Sequence, residues 1–295
     1  MACHAGWHRF LRAVCSWYPI PFGDDWFNRR LDRFFASDEP NWLVAASRGR
    51  WPTMVLNVAD NLQRKLFYFP RLHWYYRASP LHGYLARTLQ PGATFLDIGA
   101  NVGFFSLLAA RLVGARGRVY AFEPDPIPCE SLVRSARANA MDHVQVLPVA
   151  LSDRDDEATL YRARFGTASS LLPEVPGRED RYKSALEISL HTLDTLVAAG
   201  RVDVRAIGAI KIDVEGEEAR TVAGMRDSLV AAGHPPIWCE VRGPKGSTRA
   251  PNTYAAVQAQ LAPLGYRAYA WTNGKRRALG VGDVVKRMDV LFERG

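Results

Sequence analysis

Two amphipathic helical patterns occupy the start of the chain. Between residues 7 and 18 the apolar positions recur at steps of three and four, so they form one stripe that excludes the arginines. A second segment begins at Asp24, whose side chain suits the position before a helix, and carries aromatic and leucine side chains on one face as far as Phe35. The pattern therefore predicts a helical N-terminal extension, which we assign to residues 1–57.

From Gly92 onward short hydrophobic runs alternate with helical patterns, which is typical of a parallel sheet covered on both faces. Seven strands are predicted, near 94–98, 117–122, 144–149, 208–213, 236–241, 265–271 and 288–293. The helices predicted between them span 103–113, 126–140, 216–231 and 252–262. The pattern predicts an α/β fold, a doubly wound, seven-stranded and mostly parallel sheet, in a domain of residues 58–295.

Residues 153–205 interrupt this alternation. They contain two further predicted strands, at 158–161 and 187–193, and between them a polar stretch rich in Gly, Pro and Arg at 164–184. Segments inserted at the mouth of a sheet commonly carry binding residues. We therefore interpret 153–205 as an inserted specificity segment.

The strongest chemical motif is FLDIGANVGFF at 95–105, in which a strand ends at Asp97 and a glycine turn leads directly into a helix. Gly99 permits close approach of a ligand, and Gly103 permits the helix start to pack closely against the strand. The spacing differs from the dinucleotide fingerprint G-x-G-x-x-G. A carboxylate at Asp97 would repel a pyrophosphate but favour a cationic aminoacyl-sulfonium ligand. The alternative is a glycine turn without a ligand.

The next predicted strand ends in VYAFEPD, which places Glu123 24 residues beyond Gly99. A carboxylate about twenty residues after such a turn is positioned to accept the two ribose hydroxyls of an adenosine. The combination of turn and carboxylate is more specific than either feature alone.

Together the strings FLDIGANVGFFS, YAFEPDP, VLPVALSD and IKIDVEGEE, within roughly residues 58–293, resemble the FkbM-type methyltransferase family. The resemblance implies a fold with a reversed final strand, S-adenosyl-L-methionine as cofactor, and O-methylation as the reaction. The long N-terminus departs from the family. So does the end of the helix at Asn139, where Ala140-Met141-Asp142 follows and a second asparagine of the family pattern is missing.

The resemblance also implies a set of cofactor-binding residues. The methionine part would lie among the glycine turn, the ribose at Glu123 and the adenine near Asp125 and the turn at 150–152. The full predicted set is Asp97, Gly99, Ala100, Asn101, Gly103, Phe104, Glu123, Pro124, Asp125, Ala150, Leu151, Ser152 and Asp213.

The motif KIDVEG places Lys211, Asp213 and Glu215 at alternate positions of a strand end, so they share a face if the strand extends that far. Methyl transfer requires in-line alignment of the acceptor and removal of its proton. We predict that the two carboxylates divide these roles, one holding the cofactor amine and the other acting on the acceptor, with Lys211 between them. The alternative is a structural network of lysine and carboxylates.

Two further catalytic candidates are Glu240, at the end of the following strand, and His191, in the inserted segment. His191 has the side chain of a general base, although a lone histidine is more often structural. Glu240 would join Asp213 around the acceptor or a magnesium ion. Because this spacing is not diagnostic for a metal, we predict none.

Charge is unevenly distributed. Residues 1–92 hold 12 Lys+Arg and 6 Asp+Glu, a net charge of +6 out of +8 for the whole chain, and six of the eight tryptophans. Such an arm suits a nucleotide-sugar, lipid headgroup or RNA, or simply packs on the main domain. The apolar stripe at 7–18 fits packing on the protein itself or a homo-oligomer better than peripheral contact with a membrane.

The four cysteines are far apart and no membrane-spanning run occurs, so we expect neither zinc nor disulfides, and a cytoplasmic protein. The favoured function is methyl transfer from S-adenosyl-L-methionine to a hydroxyl of a sugar, glycan or natural product. RNA methylation is the alternative enzyme, although no RNA-stacking module is visible. A cofactor-binding module without catalysis is the alternative outside enzymes.

Overall fold

A computed structural model of the chain describes residues 40–45, 51–68, 79–163, 171, 182–241, 253–272, 275–280, 283 and 288–295. The two helices predicted at 7–18 and 24–35 lie outside these residues. The described part contains strands and helices in the alternation that the hydrophobic pattern predicts.

The strands are β1 (Trp42–Ala45), β2 (Met54–Asn57), β3 (Thr94–Ile98), β4 (Arg118–Phe122), β5 (Val144–Leu147), β6 (Ala150–Leu151), β7 (Asp156–Ala163), β8 (Tyr182–His191), β9 (Ile207–Ile212), β10 (Ile237–Val241), β11 (Tyr266–Thr272), β12 (Lys275–Leu279) and β13 (Met288–Arg294). The α-helices are α1 (Asn61–Tyr68), α2 (Pro80–Thr88), α3 (Phe104–Val113), α4 (Pro126–Ala138), α5 (Leu193–Ala198), α6 (Glu218–Ala223), α7 (Arg226–Ala231) and α8 (Thr253–Leu261). A 3₁₀ turn at Ala262–Leu264 follows α8.

The main sheet has the strand order β12-β11-β13-β10-β9-β3-β4-β5. The pairings β5–β4, β4–β3, β3–β9 and β9–β10 are parallel. The last strand, β13, lies antiparallel between β10 and β11. The α/β class, the mostly parallel sheet and the reversed final strand are thus confirmed.

All seven predicted strands are present, and β12 adds an eighth at the edge of the sheet. Its first residues, Lys275-Arg276-Arg277, are exposed, so the strand carries no alternation of apolar and polar residues that the sequence pattern would reveal. It pairs antiparallel with β11 after a tight connection. Charged side chains on an edge strand oppose pairing with a second sheet.

The helix predicted at 216–231 is two short helices, α6 and α7, because the chain bends at Gly224. A Cβ on Gly224 would lie 1.8 Å from the carbonyl oxygen of Ser152, so the backbone here is pressed against the turn that precedes the inserted segment. Asp194 accepts hydrogen bonds from the N–H groups of Asp227 and Ser228 at the start of α7, which stabilises the second helix.

The end of the predicted extension forms a β-hairpin, β1 and β2, that packs on α4. Thr53 N donates to Asn139 Oδ1 at 2.9 Å, and Asn139 Nδ2 donates back to Thr53 O at 2.7 Å. Val55 N donates to Ser135 Oγ at 2.8 Å. Asn139, the single asparagine of the family pattern at this helix end, therefore anchors the hairpin.

The core lies on both faces of the main sheet because neighbouring strand residues point to opposite sides. Phe95, Ala209 and Trp238 face α1 to α4, whereas Leu96 and Ile98 face the side of α5 to α8. Asp97 and Lys211 alternate with residues of the second face and so point toward α1 to α4. The polar groups of the site therefore start from one face of the sheet.

The inserted segment supplies β7 and β8, a long antiparallel hairpin, which join β6 in a separate three-stranded sheet of order β6-β8-β7. Leu160, Ile188 and Leu190 form its small core. The polar stretch of this segment lies largely outside the described residues. Among the described helices, none has the length and hydropathy needed to cross a membrane.

Candidate active site

A cavity of about 580 Å³ opens at the carboxyl ends of β3, β4, β9 and β10. Ligands of open α/β sheets bind at this edge, and the volume is in the range of small-molecule and cofactor sites. The glycine turn, the Glu123 segment and the Asp213 segment form its walls. Residues of the inserted sheet and of α1 and α2 complete it.

The glycine turn brings the backbone of β3 against that of β9. Gly99 has a φ of +74°, and a Cβ there would lie 1.9 Å from the carbonyl oxygen of Asp213, so this position requires glycine. The N–H groups of Gly99 and Ala100 both donate to the carbonyl oxygen of Phe122. Asn101 follows with a φ of +50° and turns its own N–H toward Glu123.

Gly103 and Phe104 begin helix α3. A Cβ on Gly103 would lie 2.0 Å from the Leu132 side chain, so this glycine permits contact between α3 and α4, rather than the helix–strand contact expected from the sequence. Gly103 does not line the cavity, whereas Phe104 does. Trp51 stacks on Phe104 with ring centroids 5.0 Å apart, which connects the hairpin region to the rim of the site.

Asp97 does not face the cavity, contrary to the expectation that its charge favours a cationic ligand. Its side chain is fully buried, accepts a hydrogen bond from Ser106 Oγ at 2.5 Å, and lies 3.3 Å from Lys211 Nζ. A carboxylate at this depth needs a partner, and Lys211 supplies it. Asp97 therefore acts on the site through Lys211.

Glu123 lies in the cavity wall with both carboxylate oxygens engaged. Oε2 accepts the N–H of Asn101 at 2.8 Å and Oε1 accepts the N–H of Asp125 at 2.9 Å. Burial raises the pKa of the Glu123 carboxyl to about 7, against the lowering effect of these two hydrogen bonds. The backbone thus fixes the orientation of a carboxyl group whose charge changes near neutral pH.

Asp125 lines the cavity and also has a structural role. Its Oδ1 accepts the N–H of Ile127 and caps helix α4, and its Oδ2 accepts from Arg162 Nε at 2.8 Å. Arg162 belongs to β7 of the inserted sheet, so this ion pair attaches that sheet to the cavity. The sequence analysis missed Arg162, because nothing in its neighbourhood marks a partner 37 residues away.

Of the residues predicted near the adenine, Asp125, Ala150 and Leu151 line the cavity and Ser152 does not; Pro124, another predicted cofactor residue, also lines it. Ser152 is buried, and its N–H donates to the carbonyl oxygen of His191. Ser152 therefore stabilises the turn at 150–152 without lining the cavity.

Lys211 is the buried centre of the catalytic candidates. Its Nζ donates to Gly99 O at 2.9 Å and lies 3.3 Å from Asp97 and 3.7 Å from Asp213. Burial lowers the pKa of the Lys211 ammonium, but the charges of Asp97 and Asp213 outweigh burial and hold that pKa above its ordinary value. Lys211 thus stays protonated and ties the glycine turn to the end of β9.

The structure brings Asp213, Glu215 and Glu240 together. One carboxylate oxygen of each lies within 4.8 Å of the others, and all three residues line the cavity. Glu215 has a φ of +55°, so the chain turns sharply after β9 instead of continuing as a strand. Oxygen atoms at this separation also suit a divalent cation, so the absence of a metal stays a prediction.

His191 does not join this group. It ends β8 in the small sheet, its Nδ1 lies 3.2 Å from Asp155 Oδ1, and it is not part of the cavity wall. It lies on the predicted inserted segment, but the fold of that segment directs its side chain toward Asp155 and away from the cavity. Its role as general base is not supported by this position.

Sequence reasoning missed several wall residues because they come from distant parts of the chain. These are Asp60, Gln63, Ser79, Arg162, Glu217, Trp238 and Asp289. Asp289 lies opposite Glu240 in the antiparallel pairing of β13 with β10. The pairing of the last strand with the middle of the sheet is not visible in local sequence patterns.

The described wall of the cavity is strongly acidic. Its cations are Lys211 and Arg162, and both are in ion pairs with carboxylates. Its acidic residues are Asp60, Glu123, Asp125, Asp213, Glu215, Glu217, Glu240 and Asp289. This surface favours cationic and hydroxyl-bearing ligands over anionic ones.

Comparison with known proteins agrees with the sequence resemblance. Residues 97–268, more than half of the chain, match the family model described as the Methyltransferase FkbM domain. The chain is 30% identical over 168 residues to 31-O-demethyl-FK506 methyltransferase FkbM of Streptomyces tacrolimicus, covering 48% of this chain and 62% of that protein. It is 26% identical over 168 residues to the methyltransferase sdnD of Sordaria araneosa, covering 49% and 64%.

The chain thus spans less than two thirds of the length of either relative. A crystal structure of Aeropyrum pernix fibrillarin with natively bound S-adenosyl-L-methionine is similar over 74% of each chain, with 13% sequence identity and a TM-score of 0.42.

Proposed function

The chain belongs to the FkbM methyltransferase family, and from this premise we propose that it methylates a hydroxyl group of a neutral, oxygen-rich acceptor such as a sugar, a glycan or a natural product. The reaction, methyl transfer from S-adenosyl-L-methionine, and the acceptor class are both part of this proposal, and the family match supports the reaction.

The observation that carries the proposal is the group of carboxylates at the ends of β9 and β10. Asp213, Glu215 and Glu240 lie beside the glycine turn, within 4.8 Å of one another. A hydroxyl is a weak nucleophile until its proton is removed, so a carboxylate within hydrogen-bond reach is the group that such an acceptor needs.

The cofactor residues divide along the cavity. We assign the ribose hydroxyls to Glu123 and the aminoacyl part to the turn at 99–101, whose three residues line the cavity. The adenine would lie between Pro124 and the Ala150-Leu151 turn. A buried carboxyl group with a fixed orientation can accept two neighbouring hydroxyls, which supports the assignment of the ribose to Glu123.

When bound, the cofactor supplies an electrophilic methyl group on a sulfonium centre. Asp213 or Glu215 accepts the hydroxyl proton of the acceptor at a carboxylate oxygen, and the second carboxylate holds the amine of the cofactor. Lys211 keeps Asp213 in place and, through Gly99 O, ties its position to the glycine turn. The enzyme's contribution is alignment and proton removal.

The acidity of the wall favours this acceptor class over RNA. A phosphate backbone is recognised by unpaired lysine and arginine side chains, and both described cations of the wall are engaged with carboxylates. The Streptomyces relative is named as the methyltransferase of 31-O-demethyl-FK506, which supports a natural-product hydroxyl as acceptor.

An acceptor screen that follows S-adenosylhomocysteine release tests the proposal. The panel contains free sugars, glycosides, polyketide alcohols and short RNAs, each with and without a chelator. We expect turnover with one of the hydroxyl compounds and none with RNA. Turnover of RNA alone would reject the proposal, and tight cofactor binding with no turnover across the whole panel would favour a binding module.

A further inference from the structure

Gln63, in the first turn of α1, lines the cavity although its side chain is almost completely buried, with 1% of its surface exposed. Its carboxamide oxygen, Oε1, accepts the backbone N–H of Asn57 at 2.7 Å and lies 2.9 Å from Ser131 Oγ. A backbone N–H can only donate, so the Asn57 contact fixes which end of the amide is oxygen.

The other end of the same amide, Nε2, has no hydrogen-bond partner among the described residues. A buried amide group with two unused donors is costly unless something accepts from it. Because Gln63 belongs to the cavity wall, a bound ligand is the natural source of the acceptor.

The position of Gln63 indicates which end of the cofactor would lie beside it. Ser131 is adjacent in α4 to Leu132, the residue against which Gly103 packs, so Gln63 lies on the face of the sheet that holds the glycine turn and α3. The proposed adenine turn has its Leu151 side chain in the core of the opposite face. Gln63 is therefore on the aminoacyl side of the cavity.

The charge of the wall explains why an amide would be used there. The aminoacyl end of the cofactor is a zwitterion, and its amine finds many carboxylates in this wall. Its carboxylate finds few donors, because the described cations Arg162 and Lys211 are both held in ion pairs. A neutral donor in the first turn of a helix, where the backbone dipole favours anions, meets that need.

We propose that Gln63 Nε2 donates a hydrogen bond to the methionyl carboxylate of S-adenosyl-L-methionine. This inference rests on the cofactor placement proposed above. The proposal makes Gln63 a cofactor-binding residue that precedes residues 97–268, the part of the chain that matches the family model.

The experiment compares two probes by isothermal titration of the full-length protein. S-adenosylhomocysteine has the aminoacyl carboxylate, and 5′-methylthioadenosine has the same nucleoside without it. The variant Gln63→Glu keeps an oxygen for Asn57 N and removes the amide donor. We expect its affinity for S-adenosylhomocysteine, divided by its affinity for 5′-methylthioadenosine, to fall at least about tenfold from the wild-type ratio, as for a hydrogen bond to a charged group.

A smaller fall in this ratio overturns the proposal, whether both probes bind as before or both weaken equally. Asn139→Asp is the matched control: it makes the same amide-to-acid change at the contact between the hairpin and α4, away from the cavity, and should leave the ratio unchanged. Glu123→Gln separates the two inferences, because it should weaken both probes. If it weakens neither, the cofactor placement itself is wrong.

Discussion

The two ends of the cavity hold their carboxylates in different ways. At the β4 end, the oxygens of Glu123 accept two backbone N–H groups, and Asp125 is held by the helix cap and by Arg162. At the β9 end, Asp213, Glu215 and Glu240 lie within 4.8 Å of one another, and the Asp213 side chain is 38% exposed. The first arrangement fixes the orientation of its carboxylates, whereas the second brings three carboxylates close to one another.

This difference indicates that the β4 end and the β9 end of the cavity have different functions. Backbone hydrogen bonds make Glu123 rigid and suit it to binding hydroxyls that do not react. The carboxylates at the β9 end lie together in the cavity wall, where a carboxylate oxygen can reach the hydroxyl of an acceptor. We therefore expect changes at the β9 end to affect rate and changes at the β4 end to affect affinity.

The largest effect is expected at the β9 end. Asp213→Asn and Glu215→Gln preserve shape and remove one charge, so the maximal rate should fall about 100- to 10,000-fold for the residue that accepts the proton. Rate at saturating cofactor and cofactor affinity are measured separately. Asp142→Asn, an exposed change outside the cavity, is the control. Near wild-type maximal rates in both variants would remove these carboxylates from catalysis and leave Glu240 as the next candidate.

Lys211→Met tests whether the buried ion pair with Asp97 stabilises the β9 end of the cavity. It leaves the buried Asp97 charge without its partner, so we expect a loss of about 3–5 kcal/mol in the free energy of unfolding. Urea denaturation measures it. The double variant Lys211→Met with Asp97→Asn should recover part of the loss, because the uncompensated charge is gone. A single variant as stable as the wild type would show that the pair is not a structural centre.

At the β4 end, Glu123→Ala should weaken binding of S-adenosyl-L-methionine by about 1.5–3 kcal/mol, as for hydrogen bonds to a charged group. Titration calorimetry on the folded variant measures this, with Glu130→Ala as an exposed acidic control on the neighbouring helix. The maximal rate at saturating cofactor should change much less than for Asp213→Asn. Unchanged affinity would reject Glu123 as the ribose ligand.

The pH dependence of cofactor affinity sharpens the same assignment. Burial raises the pKa of the Glu123 carboxyl to about 7, so in the free protein this group is largely protonated below pH 7 and charged above it. The charged form is the better acceptor for ribose hydroxyls. Affinity should therefore rise with pH through 7, by at most about tenfold per unit on the acidic side. Glu123→Gln should flatten this profile, and a flat wild-type profile would contradict the assignment.

The smallest effect is expected from removing residues 1–36. We propose that residues 1–57 are an extension and 58–295 the catalytic domain, and the described wall of the cavity begins at Asp60. Cofactor affinity should stay within about twofold of the full-length value. Loss of acceptor turnover with intact cofactor binding would assign the arm to the acceptor side or to a subunit contact. Loss of cofactor binding would contradict this division of the chain.

The sequence by itself determined the seven main strands of the sheet and the local motifs that now line the cavity. Hydrophobic runs that are buried on both faces identify β3, β4 and β9, and a glycine turn followed by Glu123 is a local signal with a local cause. For the same reason KIDVEG is a visible candidate in the sequence: its charged residues come at the end of a buried strand, and they line the cavity.

Only the tertiary structure decided which groups meet. Asp97 and Lys211 lie 114 residues apart in sequence and become partners because β3 pairs with β9. Arg162 reaches Asp125 through the fold of the inserted sheet, and the same fold directs His191 away. Gln63 enters the wall through packing of α1 against β2 and α4. Such contacts depend on strand register and on packing between elements, and residue patterns within one element carry no information about either.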